Sequence, residues 1–264
     1  NSRLYGEDIA LVERIPAADS RTEMTWRDFY RTSCRIACAL EKKGIKKSDK
    51  VIQLMSNCLE WLPVYFGVLY TGAWAVPLNF RFESDKILLC TQTAEAKAFI
   101  FGEEFIQRIE KIKAQLDPMV ETWIFTGPKE LCPLWATPLD IFIDQEKGLA
   151  PPEVVLSPED DAALYFTSGT TGTPKAVLLT HKNLEHACEV EKAHHGQTRE
   201  DVFLCIPPLY HTGAKMHWMG SFLSGGKCVL LRGVKPQWII EAVSQERCTI
   251  VWLLVPWAHD IIIA

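Results

Sequence analysis

The chain has 264 residues, of which 48% are hydrophobic, and a formal net charge of −5 with both signs mixed along its length. This length and apolar content are enough for one large domain or two modest ones. No stretch is dense in lysine or arginine, which disfavours nucleic acid as a partner.

The nine cysteines indicate a reducing compartment. Their number is odd and no two are spaced as Cys-x-x-Cys, which predicts free thiols and neither disulfides nor a protein-bound metal site. No signal peptide is recognisable, and the apolar span Trp61–Leu78 contains two prolines and two glycines, so it divides into a helix and a strand. We therefore expect a cytoplasmic protein without a transmembrane segment.

Apolar periodicity predicts two series of elements in chain order. The first alternates strand, helix, strand, helix and strand at Lys50–Leu54, Leu59–Tyr70, Ala73–Leu78, Glu83–Thr93 and Lys97–Phe101, with Ser84 as a candidate helix cap. The second has the same order at Val202–Ile206, Gly213–Leu223, Lys227–Leu231, Pro236–Gln245 and Thr249–Leu254.

The two series are interpreted as one repeated unit. Val51 and Ala98 are 47 positions apart, as are Val202 and Thr249, and an aspartate precedes the first strand of each series. A β-α-β-α-β order implies a parallel sheet covered by right-handed crossover helices. The predicted fold is therefore α/β, with two doubly wound βαβαβ subdomains packed together, at residues 1–156 and 157–264.

The connection between the two series is predicted to be irregular. Gly127–Asp161 contains six of the fifteen prolines, and a short strand is expected near Ile141–Ile143. Ligands of open α/β sheets bind beyond the carboxyl ends of the strands. A binding site is therefore expected after Asp161.

A loop rich in glycine and hydroxyl groups follows at Thr167–Lys175, between the apolar runs Ala162–Phe166 and Ala176–Leu179. Glycine lets backbone N–H groups approach an anion, and hydroxyls donate to phosphate oxygens. The Lys175 ammonium adds a charge-assisted hydrogen bond worth about 1.5–3 kcal/mol. The spacing differs from a Walker A loop, so the composition predicts a different phosphate-binding loop, with a Ser/Thr-rich surface hairpin as the alternative.

The eleven residues Tyr165–Lys175 resemble the phosphate-loop signature of the adenylate-forming superfamily, which includes acyl-CoA synthetases, luciferases and peptide-synthetase adenylation domains. Ala176 departs from the glycine that is usual there. Three further segments, Gly72–Arg81, Ser157–Asp161 and Pro208–Gly213, also resemble family motifs. The resemblance thus spans nearly the whole chain.

The resemblance implies roles for individual residues. Lys175 and His211 are the candidate catalytic residues. The candidate ATP contacts are Thr167, Ser168, Gly169, Thr170, Thr171, Gly172, Thr173 and Lys175. The candidate acyl-site residues are Tyr210, His211, Gly213, Met216 and Trp218. We expect Lys215 to be solvated, since lysine is rarely buried; the alternative is an inward-facing Lys215 that accepts a second carboxylate or a polar tail of the substrate. His194, His195 and the other scattered histidines are expected to lie at the surface.

The implied activity is ATP-dependent activation of a carboxylic acid to acyl-AMP and then acyl-CoA, with Mg²⁺ and coenzyme A. Amino-acid-activating relatives usually have an aspartate near Tyr210–His211, and none is present here, which favours a fatty, aromatic or alicyclic acid. The alternatives are an amino-acid adenylation domain and a noncatalytic nucleotide-binding module. The downstream Tyr-Gly-x-Thr-Glu motif and the C-terminal lysine have no match. We therefore expect the front part of a longer ligase, inactive without the rest of its own chain, and compatible with a homodimer.

Overall fold

The computed structural model describes residues 1–144, 150–167 and 174–263. Its strands are β1 (Ile9–Ile15), β2 (Ser20–Thr25), β3 (Lys50–Leu54), β4 (Trp74–Pro77), β5 (Ala98–Phe101), β6 (Thr122–Phe125), β7 (Thr137–Pro138), β8 (Asp161–Thr167), β9 (Lys175–Thr180), β10 (Val202–Cys205), β11 (Lys227–Leu231) and β12 (Ile250–Val251). Its α-helices are α1 (Trp26–Lys42), α2 (Trp61–Tyr70), α3 (Ser84–Ala94), α4 (Ile106–Glu110), α5 (Lys113–Leu116), α6 (Leu139–Asp144), α7 (His181–His195), α8 (Thr212–Ser224), α9 (Pro236–Glu246) and α10 (Val255–Ile263).

The chain divides into two compact units. Unit 1 comprises residues 1–30, 57–61 and 185–264, and unit 2 comprises residues 31–56 and 62–184. Unit 1 contains a five-stranded sheet in the order β12-β10-β11-β1-β2, and unit 2 a seven-stranded sheet in the order β7-β6-β5-β3-β4-β8-β9. The strands run parallel except for β2 and β9, each antiparallel to its neighbour. The mixed α/β fold with two sheets confirms the predicted fold class.

The predicted repeat is present in the topology. In each sheet the first strand of the series lies between the second and the third, in the orders β5-β3-β4 and β12-β10-β11. The register also agrees, because Val51 lies opposite Ala98 and Phe203 opposite Ile250, both 47 positions apart. Each preceding aspartate closes a turn: the carboxylate of Asp49 accepts the backbone N–H of Lys46, and that of Asp201 accepts the N–H of Thr198, both at 2.8 Å.

The observed division differs from the predicted bounds 1–156 and 157–264. Ala163 of β8 pairs with Ala75 of β4, which places β8 and β9 in the sheet of unit 2. The N-terminal strands β1 and β2 instead extend the sheet of unit 1, because β1 pairs in parallel with β11. Which sheet such a strand joins depends on a partner distant in sequence, and the periodicity of the strand gives no information about that partner.

Two local predictions were wrong. Ile141–Ile143 lies in the helix α6, in which Leu139, Phe142 and Ile143 are buried at helical spacing while Ile141 is exposed. Ser84 is not the cap of α3: it is the first helical residue, and its hydroxyl donates to the backbone carbonyl of Arg108 at 2.9 Å.

Each unit has its own apolar core. In unit 2 the cluster includes Ile52, Val76, Phe99 and Phe101, and in unit 1 the cluster includes Leu204 with residues of β1, β11 and α9. The nine cysteines, all of them described residues, are thiols and not disulfides, in agreement with the prediction. In the part of the chain that the structure describes, no helix combines the length and apolarity needed to cross a membrane.

Gly67 in α2 allows a close contact with α1 within unit 2. A Cβ atom at Gly67 would lie 2.6 Å from Cγ2 of Ile36 and 3.1 Å from the backbone oxygen of Ser33. We expect Gly67→Ala to destabilise the protein by about 1–3 kcal/mol, because overpacking outweighs the roughly 1 kcal/mol helix preference for alanine. The free energy of unfolding in denaturant measures this loss.

Ile36→Ala provides a double-mutant cycle, since it removes the Cγ2 atom at 2.6 Å and keeps the Cβ atom of residue 36, which would lie 2.8 Å away. On that background Gly67→Ala is expected to cost less, because only part of the clash is removed. Equal costs on both backgrounds would contradict the contact.

Candidate functional site

The glycine- and hydroxyl-rich segment joins β8 to β9 at the turn of an antiparallel hairpin in unit 2. Its central residues, for which ATP contacts were predicted, lie outside the described residues: Ser168, Gly169, Thr170, Thr171, Gly172 and Thr173. Thr167 and Lys175 lie opposite each other at the ends of the loop, and the Thr167 hydroxyl donates to the backbone oxygen of Lys175 at 3.4 Å. Both residues are exposed.

The strand leading into this loop is firmly held. Residues 162–165 of β8 are buried, and the hydroxyl of Tyr165 lies 3.2 Å from that of Tyr65 in the same unit. A buried strand between β4 and β9 fixes where the loop begins. The buried part of β8 therefore fixes the position of Thr167, the last described residue before the loop.

In unit 1 the segment between β10 and α8 is held by Asn57. The Asn57 side-chain amide donates to the backbone oxygen of Pro207 at 2.9 Å and accepts the backbone N–H of Leu209 at 2.8 Å. Both bonds fix the backbone that leads to Tyr210 and His211. Sequence reasoning missed Asn57; its position shortly after the predicted strand Lys50–Leu54, where functional polar residues concentrate, was the available signal.

We expect Asn57→Ala to lower the free energy of unfolding by about 1–2 kcal/mol, because two partly buried hydrogen bonds are lost. Hydrogen exchange at the Leu209 amide should accelerate in this variant. Asn57→Asp is the matched control, since a carboxylate still accepts the Leu209 N–H but cannot donate to Pro207. Unchanged exchange at Leu209 in Asn57→Ala would contradict the assignment.

His211 caps the N-terminus of α8. Its Nδ1 accepts the backbone N–H of Gly213 at 3.2 Å, and its own backbone N–H donates to Pro208 at 2.9 Å. When Nδ1 accepts, a neutral imidazole has its proton on Nε2. The exposed His211 ring is thus oriented to donate a hydrogen bond from Nε2.

Gly213 leaves room for the ring of Trp252. A Cβ atom at Gly213 would lie 3.0 Å from Cη2 and 3.2 Å from Cζ2 of Trp252. The Trp252 ring centroid lies 6.2 Å from that of His211 and 6.1 Å from that of His217. Trp252 is therefore a further aromatic neighbour of the predicted acyl-site residues that periodicity did not single out.

The remaining predicted acyl-site residues also lie in unit 1. Tyr210 and Met216 are half-buried, and the Tyr210 ring centroid is 6.5 Å from that of His211. Trp218 is fully buried, with its ring centroid 6.5 Å from Trp61 and 6.0 Å from Phe222. Trp218 thus belongs to an aromatic part of the core, and its role towards a ligand stays a prediction.

Two residues of α8 were placed wrongly from the sequence. Lys215 is 3% exposed and not solvated, and His217 is 7% exposed and not at the surface. Burial lowers the pKa of both side chains; a neighbouring Cys188 opposes the shift at Lys215, and Glu191 opposes it at His217. The prediction assumed a helix with one solvent-facing side. Residues 218–222 of α8 are buried as well, so the helix has few solvent-facing positions. His194 and His195 are exposed as predicted.

A family model described as AMP-binding enzyme matches residues 1–264. The chain belongs to the AMP-binding enzyme family. Among curated relatives it is 31% identical to long-chain fatty acid transport protein 6 of Mus musculus, covering 78% of this chain and 33% of the relative. It is 31% identical to 4-coumarate–CoA ligase 2 of Oryza sativa, over 75% of this chain and 36% of the relative. It is 28% identical to feruloyl-CoA synthase of Amycolatopsis, over 88% of this chain and 43% of the relative.

Two solved structures illustrate the same fold. The inhibitor-bound N-terminal domain of FACL13 from Mycobacterium tuberculosis superposes with a TM-score of 0.84 at 25% identity, over 98% of this chain and 62% of that chain. The anthranilate CoA ligase AuaEII in complex with anthranoyl-AMP superposes with a TM-score of 0.84 at 23% identity, over 96% and 48%. The chain spans about a third to a half of the length of the curated relatives that it matches.

Proposed function

We propose that the chain forms the ATP- and acyl-binding part of an acid–thiol ligase, which converts a carboxylic acid to acyl-AMP and then to acyl-CoA. The supporting observation is the exposed pair Thr167 and Lys175 at the ends of the hairpin loop, in a chain that matches the AMP-binding family from 1 to 264. Hydroxyl, backbone and ammonium donors are the groups that bind a polyphosphate.

The proposed reaction has two steps. A carboxylate oxygen of the acid attacks the α-phosphorus of ATP, and pyrophosphate leaves with the bridging oxygen and its electron pair. The thiol of coenzyme A then attacks the acyl carbon of the mixed anhydride, and AMP leaves. Mg²⁺ bound to the triphosphate would neutralise part of its charge. Lys175 and the loop donors would stabilise the departing pyrophosphate.

The segment at the start of α8 is proposed to bind the acyl group and approach the α-phosphate. The Nε2–H of His211 can donate to an anionic oxygen because its Nδ1 is already engaged by Gly213. The residues proposed to line the acyl site are Tyr210, Gly213, Met216 and Trp218. No carboxylate occurs between Pro207 and Gly213 to pair with an α-ammonium group, which favours a fatty, aromatic or alicyclic acid.

ATP–pyrophosphate exchange tests this function. The protein, with any remaining part of its native chain, is assayed with fatty, aromatic and alicyclic acids and with amino acids. Exchange is expected with at least one of the first three classes and not with amino acids. Exchange with amino acids alone would overturn the substrate class, and no exchange with any acid, despite ATP binding, would favour a noncatalytic nucleotide-binding module.

A further inference from the structure

Three side chains with metal-binding atoms converge between α7 and α8 in unit 1. They are Glu191, His195 and His217, and their ligand atoms all lie within 4.8 Å of one another. Oε1 of Glu191 lies 2.8 Å from Nε2 of His195 and 3.1 Å from Nδ1 of His217. None of the three is among the candidate ATP-contact or acyl-site residues, although His217 follows Met216 directly on α8.

The local structure explains why the three atoms meet. Glu191 and His195 are four positions apart on α7, so they share one face of that helix. The ring of His217 on α8 is packed between Phe203, at 5.4 Å between centroids, and Trp252, at 6.1 Å. His217 therefore has a fixed direction, while the carboxylate and the half-exposed His195 can adjust to it.

The buried imidazole of His217 has one ring nitrogen, Nδ1, that accepts or donates no hydrogen bond in the described part of the chain. His217 is 7% exposed, and its Nδ1 lies near the Glu191 carboxylate. Buried polar atoms of native proteins nearly always have a partner, and an exception needs an explanation. A metal ion bound to Nδ1 would supply that partner.

We propose that Glu191, His195 and His217 bind one divalent transition-metal ion, such as zinc or cobalt. Two imidazole nitrogens and one carboxylate oxygen are a donor set that suits these ions, whereas Mg²⁺ and Ca²⁺ take oxygen ligands. With three protein ligands, a tetrahedral ion keeps one position for water. The ion would connect α7 to α8, the helix that begins next to His211.

Cysteine spacing in the sequence gives no information about this site, because the site contains no cysteine. The cluster combines two residues of one helix with a histidine 22 positions further along the chain, so only the packing of α7 against α8 brings it together. The alternative is ordinary ion pairing of the Glu191 carboxylate with His195, at 2.8 Å, and with His217, at 3.1 Å, with no affinity for metals.

Cobalt(II) binding to the chelator-treated protein, prepared without a histidine tag and with its thiols reduced, tests the proposal. Equilibrium dialysis is expected to give one Co²⁺ per chain, and the visible spectrum should show nitrogen and oxygen ligation without thiolate-to-cobalt charge transfer. His195→Ala and Glu191→Gln are each expected to weaken Co²⁺ binding by at least about 10-fold. Both replaced side chains are partly exposed, so these variants should fold.

His186→Ala is the matched control, because His186 is an exposed histidine of the same helix outside the cluster. It should bind Co²⁺ as the unmodified protein does. The proposal is overturned if no Co²⁺ binds, if a thiolate spectrum appears, or if His195→Ala and Glu191→Gln retain full affinity.

Discussion

Replacing Lys175 with alanine is expected to slow ATP–pyrophosphate exchange about 10²-fold. Lys175 is exposed, and its ammonium group is proposed to bind the triphosphate. One charge-assisted hydrogen bond of about 1.5–3 kcal/mol corresponds to roughly 10- to 150-fold in rate when it acts in the transition state. Fold and stability should be unaffected, because the side chain lies outside the core.

Lys182→Ala is the matched control for this experiment. Lys182 is an exposed lysine of unit 2 in the first turn of α7, where its ammonium lies 2.7 Å from the carboxylate of Glu159. Exchange rates of Lys182→Ala should stay close to those of the unmodified protein. If Lys175→Ala instead retained the normal kcat and the normal KM for ATP, the proposed phosphate-binding role of the loop would be wrong.

Replacing Glu246 with glutamine is expected to lower the free energy of unfolding by about 2–3 kcal/mol. The Glu246 side chain is 3% exposed and accepts two hydrogen bonds from Arg21, at 2.7 and 3.0 Å, and one from Arg14 at 3.3 Å. Lys227 lies 3.6 Å away. Breaking a buried ion pair typically costs about 3–5 kcal/mol, and the partly exposed arginine and lysine reduce that cost here.

The effect of this substitution should depend on pH. The hydrogen bonds from Arg21 hold the pKa of Glu246 below its ordinary value of 4.5, and the charges of Lys227 and Arg14 act in the same direction. A carboxyl group with a lowered pKa in the folded state stabilises the fold fully above pH 4.5 and loses that contribution as the pH falls through its folded value. Unfolding curves at pH 7 and below pH 4.5 should therefore show a smaller difference between the two proteins at the lower pH.

Glu241→Gln is the control on the same helix. Glu241 accepts a hydrogen bond from the side chain of Gln237 at 2.9 Å. It is not one of the charged residues that contact Glu246, which are Arg14, Arg21 and Lys227. Its replacement should change stability little at either pH. A pH-independent loss in Glu246→Gln would contradict the ion-pair explanation.

Much of the fold around the candidate site could be predicted from local sequence. The alternation of apolar runs gave every strand and helix of the two repeated series, with the loop Thr167–Lys175 between two strands. The equal spacing of 47 positions anticipated the equal register of β3 with β5 and β10 with β12. These features depend on residues close in the chain, whose side-chain period is set by the geometry of one helix or strand.

Contacts between distant segments could not be predicted in this way. Asn57 binds backbone 150 positions away, and the strands β8 and β9 join the sheet of unit 2 through β4. Burial of Lys215 and His217 likewise depends on what covers α8, which is not encoded in the periodicity of that helix.

The sequence by itself determined the family resemblance, the repeated βαβαβ order and the chemistry of the loop that ends at Lys175, because residue type and short-range spacing suffice for each. Only the tertiary structure decided which strands complete each sheet, which amide holds the segment before His211, and that Glu191, His195 and His217 meet. The physical reason is that hydrogen-bond partners and burial are set by the packing of elements far apart in the chain.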